Sequence, residues 1–101
     1  MSVDTEIVLD EKISIDVREP RKYKVIMLND DSTPMEFVID ILQKIFRHNH
    51  NTATEITLEI HNEGSGIVGV YSHEIAEMKA TETMNLARNH GFQLVLKLEE
   101  E

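Results

Sequence analysis

Asn29-Asp30-Asp31 places a carboxamide and two carboxylates on three consecutive residues. Carboxylates accept hydrogen bonds from ammonium groups, and an amide adds both a donor and an acceptor. An apolar run, Tyr23-Lys-Val-Ile-Met-Leu28, leads directly into them, so a corner built here would hold a cation beside an apolar neighbour. Asn and Asp also end strands as ordinary turn residues, and that use stays open. Five histidines (His48, His50, His61, His73 and His90) raise the question of a metal. Zinc needs three or four ligands held together, and only His48 and His50 are close in sequence. Exposed histidines near a helix C-terminus are therefore expected, with no metal site. His61 follows an apolar segment and fits either a packing role or a site role. Gly64-Ser-Gly66-Ile-Val-Gly69 matches G-x-G-x-x-G by letter. Its third glycine falls inside a β-branched run where no helix begins, so the glycines read as turn residues. No serine lies on a nucleophile elbow.

These residues must be positioned by regular elements. Residues 23–28 have the length and composition of a strand. Thr33-Pro34-Met35-Glu36 predicts a helix start, with Thr33 as cap, Pro34 in the first position and Glu36 reaching back. Met35, Val38, Ile39, Leu42, Ile45 and Phe46 continue it at helical spacing to about residue 48. Residues 52–62 fit two patterns. Ile56, Leu58 and Ile60 alternate as in a strand, yet Thr52 and Glu55 form a capping pair, and Ala53, Ile56 and Ile60 share a helical face. Gly66–Tyr71 reads as a strand. Ser72 then caps a helix with a face of Ile75, Ala76, Lys79, Ala80, Thr83, Met84 and Ala87, ending at Gly91. Gln93–Leu98 is the last strand. Strands with helices between them give the α+β class.

The chain has 101 residues, enough for one domain, and 41% are hydrophobic. Its 10 Lys and Arg against 19 Asp and Glu leave a net charge of −9, which argues against nucleic acid or an anionic membrane as partner. Without cysteine there is no disulfide, thiolate metal site or cysteine nucleophile. No apolar run reaches membrane-spanning length and no signal peptide opens the chain, so a cytoplasmic protein is expected. Residues 1–19 hold six acidic residues against Lys12 and Arg18, with scattered apolar residues, and read as a flexible acidic tail before a core domain at 20–101.

Tyr23–Val38 with its string Asn-Asp-Asp-Ser-Thr-Pro-Met-Glu-Phe-Val, Leu58-Glu-Ile-His61, Gly69-Val-Tyr71, Glu74 and Lys79 closely resemble the ClpS family. These are bacterial adaptors that deliver N-degron substrates to the Clp protease. The resemblance covers residues 22–99. It implies that 52–62 is helical, and that a three-stranded antiparallel sheet carries three helices in the order β-α-α-β-α-β. It also implies binding without catalysis or cofactor: the first residue of a substrate (Leu, Phe, Tyr or Trp) is held in a pocket with its α-amine clamped. Carried over by position, Asn29, Asp30 and His61 would contact the amine, with Asp31 in a less direct part. Met35 would gate the pocket against β-branched side chains, and Met27, Thr33, Val38, Ile60 and Leu94 would line it. Thr57 stands where the family often carries an apolar residue such as Met. Glu74 and Lys79 would dock on the N-terminal domain of an unfoldase, usually ClpA, which the tail would engage during delivery. The alternative from the residues alone is a small acid–base or metal-dependent enzyme using Asp30, Asp31 and His61.

Overall fold

Tyr23, Val25 and Met27 alternate with Lys22, Lys24 and Ile26, and this period of two makes one strand, β1 (Lys22–Leu28), with Val25 and Met27 fully buried. A computed structural model describes residues 21–101; the tail expected at 1–19 lies outside them. After β1 come α1 (Met35–Lys44), α2 (His50–Glu63), β2 (Ser65–Ser72), α3 (His73–Asn89) and β3 (Leu96–Glu100). β1 is the central strand, antiparallel to β2 on one side and β3 on the other. α1 packs on α2, while α2 and α3 pack on the sheet. The α+β architecture with three helices and a three-stranded antiparallel sheet is therefore the observed one.

Several local expectations are revised. Thr33 does not cap α1. Pro34 takes the cap position with no side-chain bond, and the Thr33 hydroxyl instead donates to Asp30 Oδ2 at 2.6 Å. The helix also stops at Lys44 rather than near 48, because Arg47 adopts a left-handed φ of 63° that no helix continues through. Residues 50–63 are helical, beginning earlier than the Thr52–Glu55 pair suggests: Asn49 is the cap and accepts from the Thr52 N–H at 2.8 Å. Ala53, Thr57 and Ile60 are buried while Leu58 is 46% exposed, so the burial follows a helix and not the strand-like alternation. Gly64, at φ 91°, ends α2 in the left-handed conformation that favours glycine.

In α3, Ala76, Ala80, Thr83 and Ala87 form the buried stripe, and these small side chains let the helix approach the sheet closely. Ile75 lies outside that stripe at 39% exposure. Ser72 holds the cap position without a side-chain bond. The last strand is shifted, beginning at Leu96 instead of Gln93. Only the carbonyl of Val95 still meets β1, accepting from Leu28 N–H at 2.9 Å. The departure of 93–95 from the ladder places Leu94 where it faces a cavity.

Candidate functional site

β1 ends at Leu28, and the chain turns through Asn29–Ser32 before α1 begins. Polar side chains organise that turn. Asp30 Oδ2 accepts from the Ser32 hydroxyl at 2.7 Å and from the Thr33 hydroxyl at 2.6 Å. The Thr33 N–H also donates to the Asp30 carbonyl at 3.0 Å. These bonds favour the carboxylate, led by the Thr33 hydroxyl and then that of Ser32, and hold the Asp30 pKa below its ordinary 3.8. Asn29 is tied on the other side: its N–H donates to the Gly64 carbonyl at 2.9 Å, and its Nδ2 donates to Asp31 Oδ1 at 3.1 Å. That second bond occupies the amide nitrogen of Asn29 and leaves its Oδ1 available as an acceptor.

A depressed carboxyl pKa fixes the sign of a pH effect. The bonds to Asp30 contribute fully above its unfolded value and are lost as pH falls through the lower folded one. Parent and Asp30→Asn should therefore differ in Tm by a constant amount between pH 7 and about pH 5. The difference should shrink only below 3.8, and thermal melts at several pH values check it. A gap that closes already by pH 5 would mean these bonds do not hold the turn.

The turn forms the mouth of a cavity of about 260 Å³. Asn29, Asp30, Asp31 and His61 line it with Met27, Leu28, Thr33, Pro34, Met35, Val38, Thr57, Ile60 and Leu94. One end of the wall is polar, and Met27, Val38, Ile60 and Leu94 make the other end apolar and buried. All ten residues expected for the amine clamp and the pocket meet here, from β1, the turn, α1, α2 and the segment before β3. Leu28, the end of β1, and Pro34, at the start of α1, also line the cavity, although the sequence gives them only structural parts. Their types carry no chemical signal, and only the turn brings them to the rim.

His61 is exposed on the last turn of α2, which removes the alternative of a core packing histidine. The other histidines are apart from it. His48 is half-buried, and its Nε2 donates to the Val68 carbonyl at 2.6 Å, so the expectation of an exposed residue fails there. Val68 is the extra residue of a bulge between the β1 pairs Val25–Gly69 and Ile26–Ile67, and the imidazole satisfies its carbonyl. His90 Nδ1 lies 3.0 Å from the Leu86 carbonyl. Among the described residues no three His, Asp or Glu side chains are grouped to hold a metal ion. The three glycines of the G-x-G-x-x-G match serve the fold: Gly64 ends α2, a Cβ on Gly66 would lie 2.8 Å from Ile60 Cγ1, and one on Gly69 would strike the Tyr71 ring.

Glu74 and Lys79 stand on α3, away from the cavity. Glu74 is exposed. Lys79 is less available than expected, because its Nζ donates to the Ile45 carbonyl at 2.7 Å and sits 5.3 Å from the Tyr71 ring centroid. It thus closes the C-terminal end of α1, where carbonyls lack helical partners. Burial raises the pKa of the Tyr71 hydroxyl in the same cluster.

The family model for "ATP-dependent Clp protease adaptor protein ClpS" matches residues 18–97. The chain belongs to the ClpS family. The ClpS adapter of Rhodospirillum centenum is 46% identical over 84 residues, covering 83% of this chain and 78% of that protein. The ClpS adapter of Sodalis glossinidius is 42% identical over 97 residues, covering 96% and 92%. Among solved structures, Agrobacterium tumefaciens ClpS2 bound to L-phenylalaninamide superposes with a TM-score of 0.79 at 41% identity, covering 82% of this chain and all of that one. ClpS proteins are adaptors of the Clp protease and not enzymes, so the acid–base or metal-dependent alternative on Asp30, Asp31 and His61 is set aside. No helix among the described residues is long and apolar enough to cross a membrane.

Proposed function

We propose that this ClpS adaptor binds the free first residue of N-degron substrates in the cavity and hands them to a Clp unfoldase of the ClpA type in the cytoplasm. The observation that carries this reading is the division of one cavity into an acidic, amide-bearing mouth and an apolar interior. The first residue of a protein has matching parts. Its α-amine has a pKa near 7.7–8.0 and is mostly an ammonium at neutral pH, with three donors to place. Its side chain, if Leu, Phe, Tyr or Trp, enters the interior, where burial contributes about 1.5–3 kcal/mol. Phenylalaninamide, the ligand of the Agrobacterium relative, combines a free α-amine with an aromatic side chain.

At the mouth, the ammonium donates to Asn29 Oδ1, to a carboxylate and to a ring nitrogen of His61. Position in the family suggests Asp30 as the carboxylate. The hydrogen bonds favour Asp31 for the nearer charge: Asp30 Oδ2 already accepts two hydroxyls that shape the turn, whereas Asp31 lies beside the Asn29 amide. Asp30, also on the cavity wall, then adds its field and keeps the turn closed. The test is a binding titration with peptides that differ only in their first residue, each with a free and an acetylated amine. Stoichiometric binding of an unaltered Leu-starting peptide, lost on acetylation, is expected. Equal binding of the two forms would remove the amine from recognition.

Delivery uses α3. Glu74 is exposed and offers its charge to the unfoldase, while Lys79 contributes through the position of α3 as much as through contact. Glu74→Ala should weaken unfoldase binding and leave both peptide affinity and Tm unchanged. Lys79→Ala should lower Tm as well, by removing the donor to the Ile45 carbonyl; a hydrogen bond of this kind contributes about 1–2 kcal/mol. If Glu74→Ala binds the unfoldase as the parent does, the interface lies elsewhere.

A further inference from the structure

Two hydroxyls line the cavity, and each has a committed proton. That of Thr33 goes to Asp30 at the mouth. That of Thr57 goes to the Ala53 carbonyl, at 2.7 Å, one turn back along α2. Thr57 is 3% exposed and belongs to the apolar end of the cavity, with Met27, Val38, Ile60 and Leu94. A hydroxyl is one donor and two acceptor lone pairs, so Thr57 Oγ1, its proton spent, has only acceptance left to offer.

We propose that Thr57 determines specificity by accepting a hydrogen bond from the phenol O–H of Tyr or the indole N–H of Trp at the first position of a substrate. The proposal rests on the reading of the cavity as a pocket for that first residue. The physical reason is the cost of burying a polar group without a partner. In a wholly apolar pocket the Tyr hydroxyl would be stripped of water and unpaired, and Tyr would bind more weakly than Phe. An acceptor on the wall removes that cost for Tyr and Trp and gives nothing to Phe or Leu. An unbranched apolar residue at this place would remove the discrimination.

The test compares the parent with Thr57→Val, which keeps the branched shape and loses the hydroxyl. Four peptides are titrated, identical except for Tyr, Trp, Phe or Leu at the first position. The Tyr-to-Phe and Trp-to-Phe affinity ratios should fall about three- to tenfold in Thr57→Val. Any change in affinity for the Phe and Leu peptides should be smaller than the change for the Tyr and Trp peptides. Thr57→Ser, which retains the hydroxyl, should keep the parent's ratios. If Thr57→Val fails to fold, Thr57→Ala lacks the same group and is read by the same ratios. Unchanged ratios, with Leu still bound, overturn the role of Thr57 alone. An equal loss across all four peptides also overturns it, since that is what a purely structural hydroxyl would give. Failure of the parent to bind the Leu peptide would instead sink the proposed function of the whole cavity.

Discussion

Acetylating the first residue of a Leu-starting peptide should weaken its binding by about 2–5 kcal/mol, and Asp31→Ala should cost a similar amount with the free peptide. Both changes remove one partner of a charge pair and leave the other in a partly dehydrated mouth. The acetylated peptide leaves Asn29, Asp31 and His61 facing a neutral amide. The variant leaves an ammonium whose nearest charge is Asp30, already fastened to Ser32 and Thr33. Asp31→Asn separates charge from geometry, because its amide oxygen still accepts from Asn29 Nδ2 and holds that side chain in place. It should recover the orientation of Asn29 but not the attraction, and so fall between parent and Asp31→Ala. The amine's own titration gives an independent check. Above pH 8 the ligand loses its proton, and log affinity should fall with a slope approaching one per pH unit. Isothermal titration at pH 7, 8 and 9 measures this directly. Affinity of Asp31→Ala within twofold of the parent would return the charge to Asp30.

Met35→Ala should admit peptides that begin with Ile or Val, raising their affinity about tenfold relative to Leu. Met35 is the first residue of α1, stands at the rim of the cavity and is 38% exposed. An unbranched thioether can swing over a side chain that is slender near its backbone. A branch at Cβ widens the ligand where Met35 must pass, and truncation to Ala clears that space. Competition between Leu and Ile peptides reads the ratio without depending on the amount of active protein. An unchanged ratio in Met35→Ala would take Met35 out of selection.

Local periodicity differs in strength along the chain. Residues 23–28, 35–44 and 73–89 carry periodicities strong enough to name their elements. Residues 52–62 do not, because Ile56, Leu58 and Ile60 satisfy both periods and the pattern is silent on which face is covered. Asn49 decides locally by capping, and the sheet decides globally by burying Ala53, Thr57 and Ile60. The resemblance to ClpS implies a helix there; the local pattern by itself does not. Neither capping box of the sequence forms, because Pro34 and Asn49 hold the cap positions of α1 and α2. Thr33 has the type and spacing to cap α1, yet the helix begins one residue later, so the cap position falls on Pro34, which has no side-chain acceptor, while the Thr33 hydroxyl donates to Asp30 in the turn.

What the residues determined by themselves is the chemistry on offer: carboxylates and an amide after an apolar strand, a histidine near the end of an apolar segment, and no cysteine for a disulfide, thiolate site or thiol nucleophile. Local forces act within a few residues, so local sequence is enough to name those groups and most of the elements that bear them. Tertiary structure alone decided how the groups are spent. Whether a hydroxyl, amide or ammonium is free for a ligand depends on partners far along the chain. Lys79 is committed to Ile45, 34 residues away, and His48 to Val68, 20 residues away. The pocket is likewise a product of distance, since Met27, Thr57 and Leu94 come from three separate elements or segments and meet only when the helices close on the sheet. Hydrophobic burial brings such residues together without regard to their spacing, and no motif written along the chain records the result.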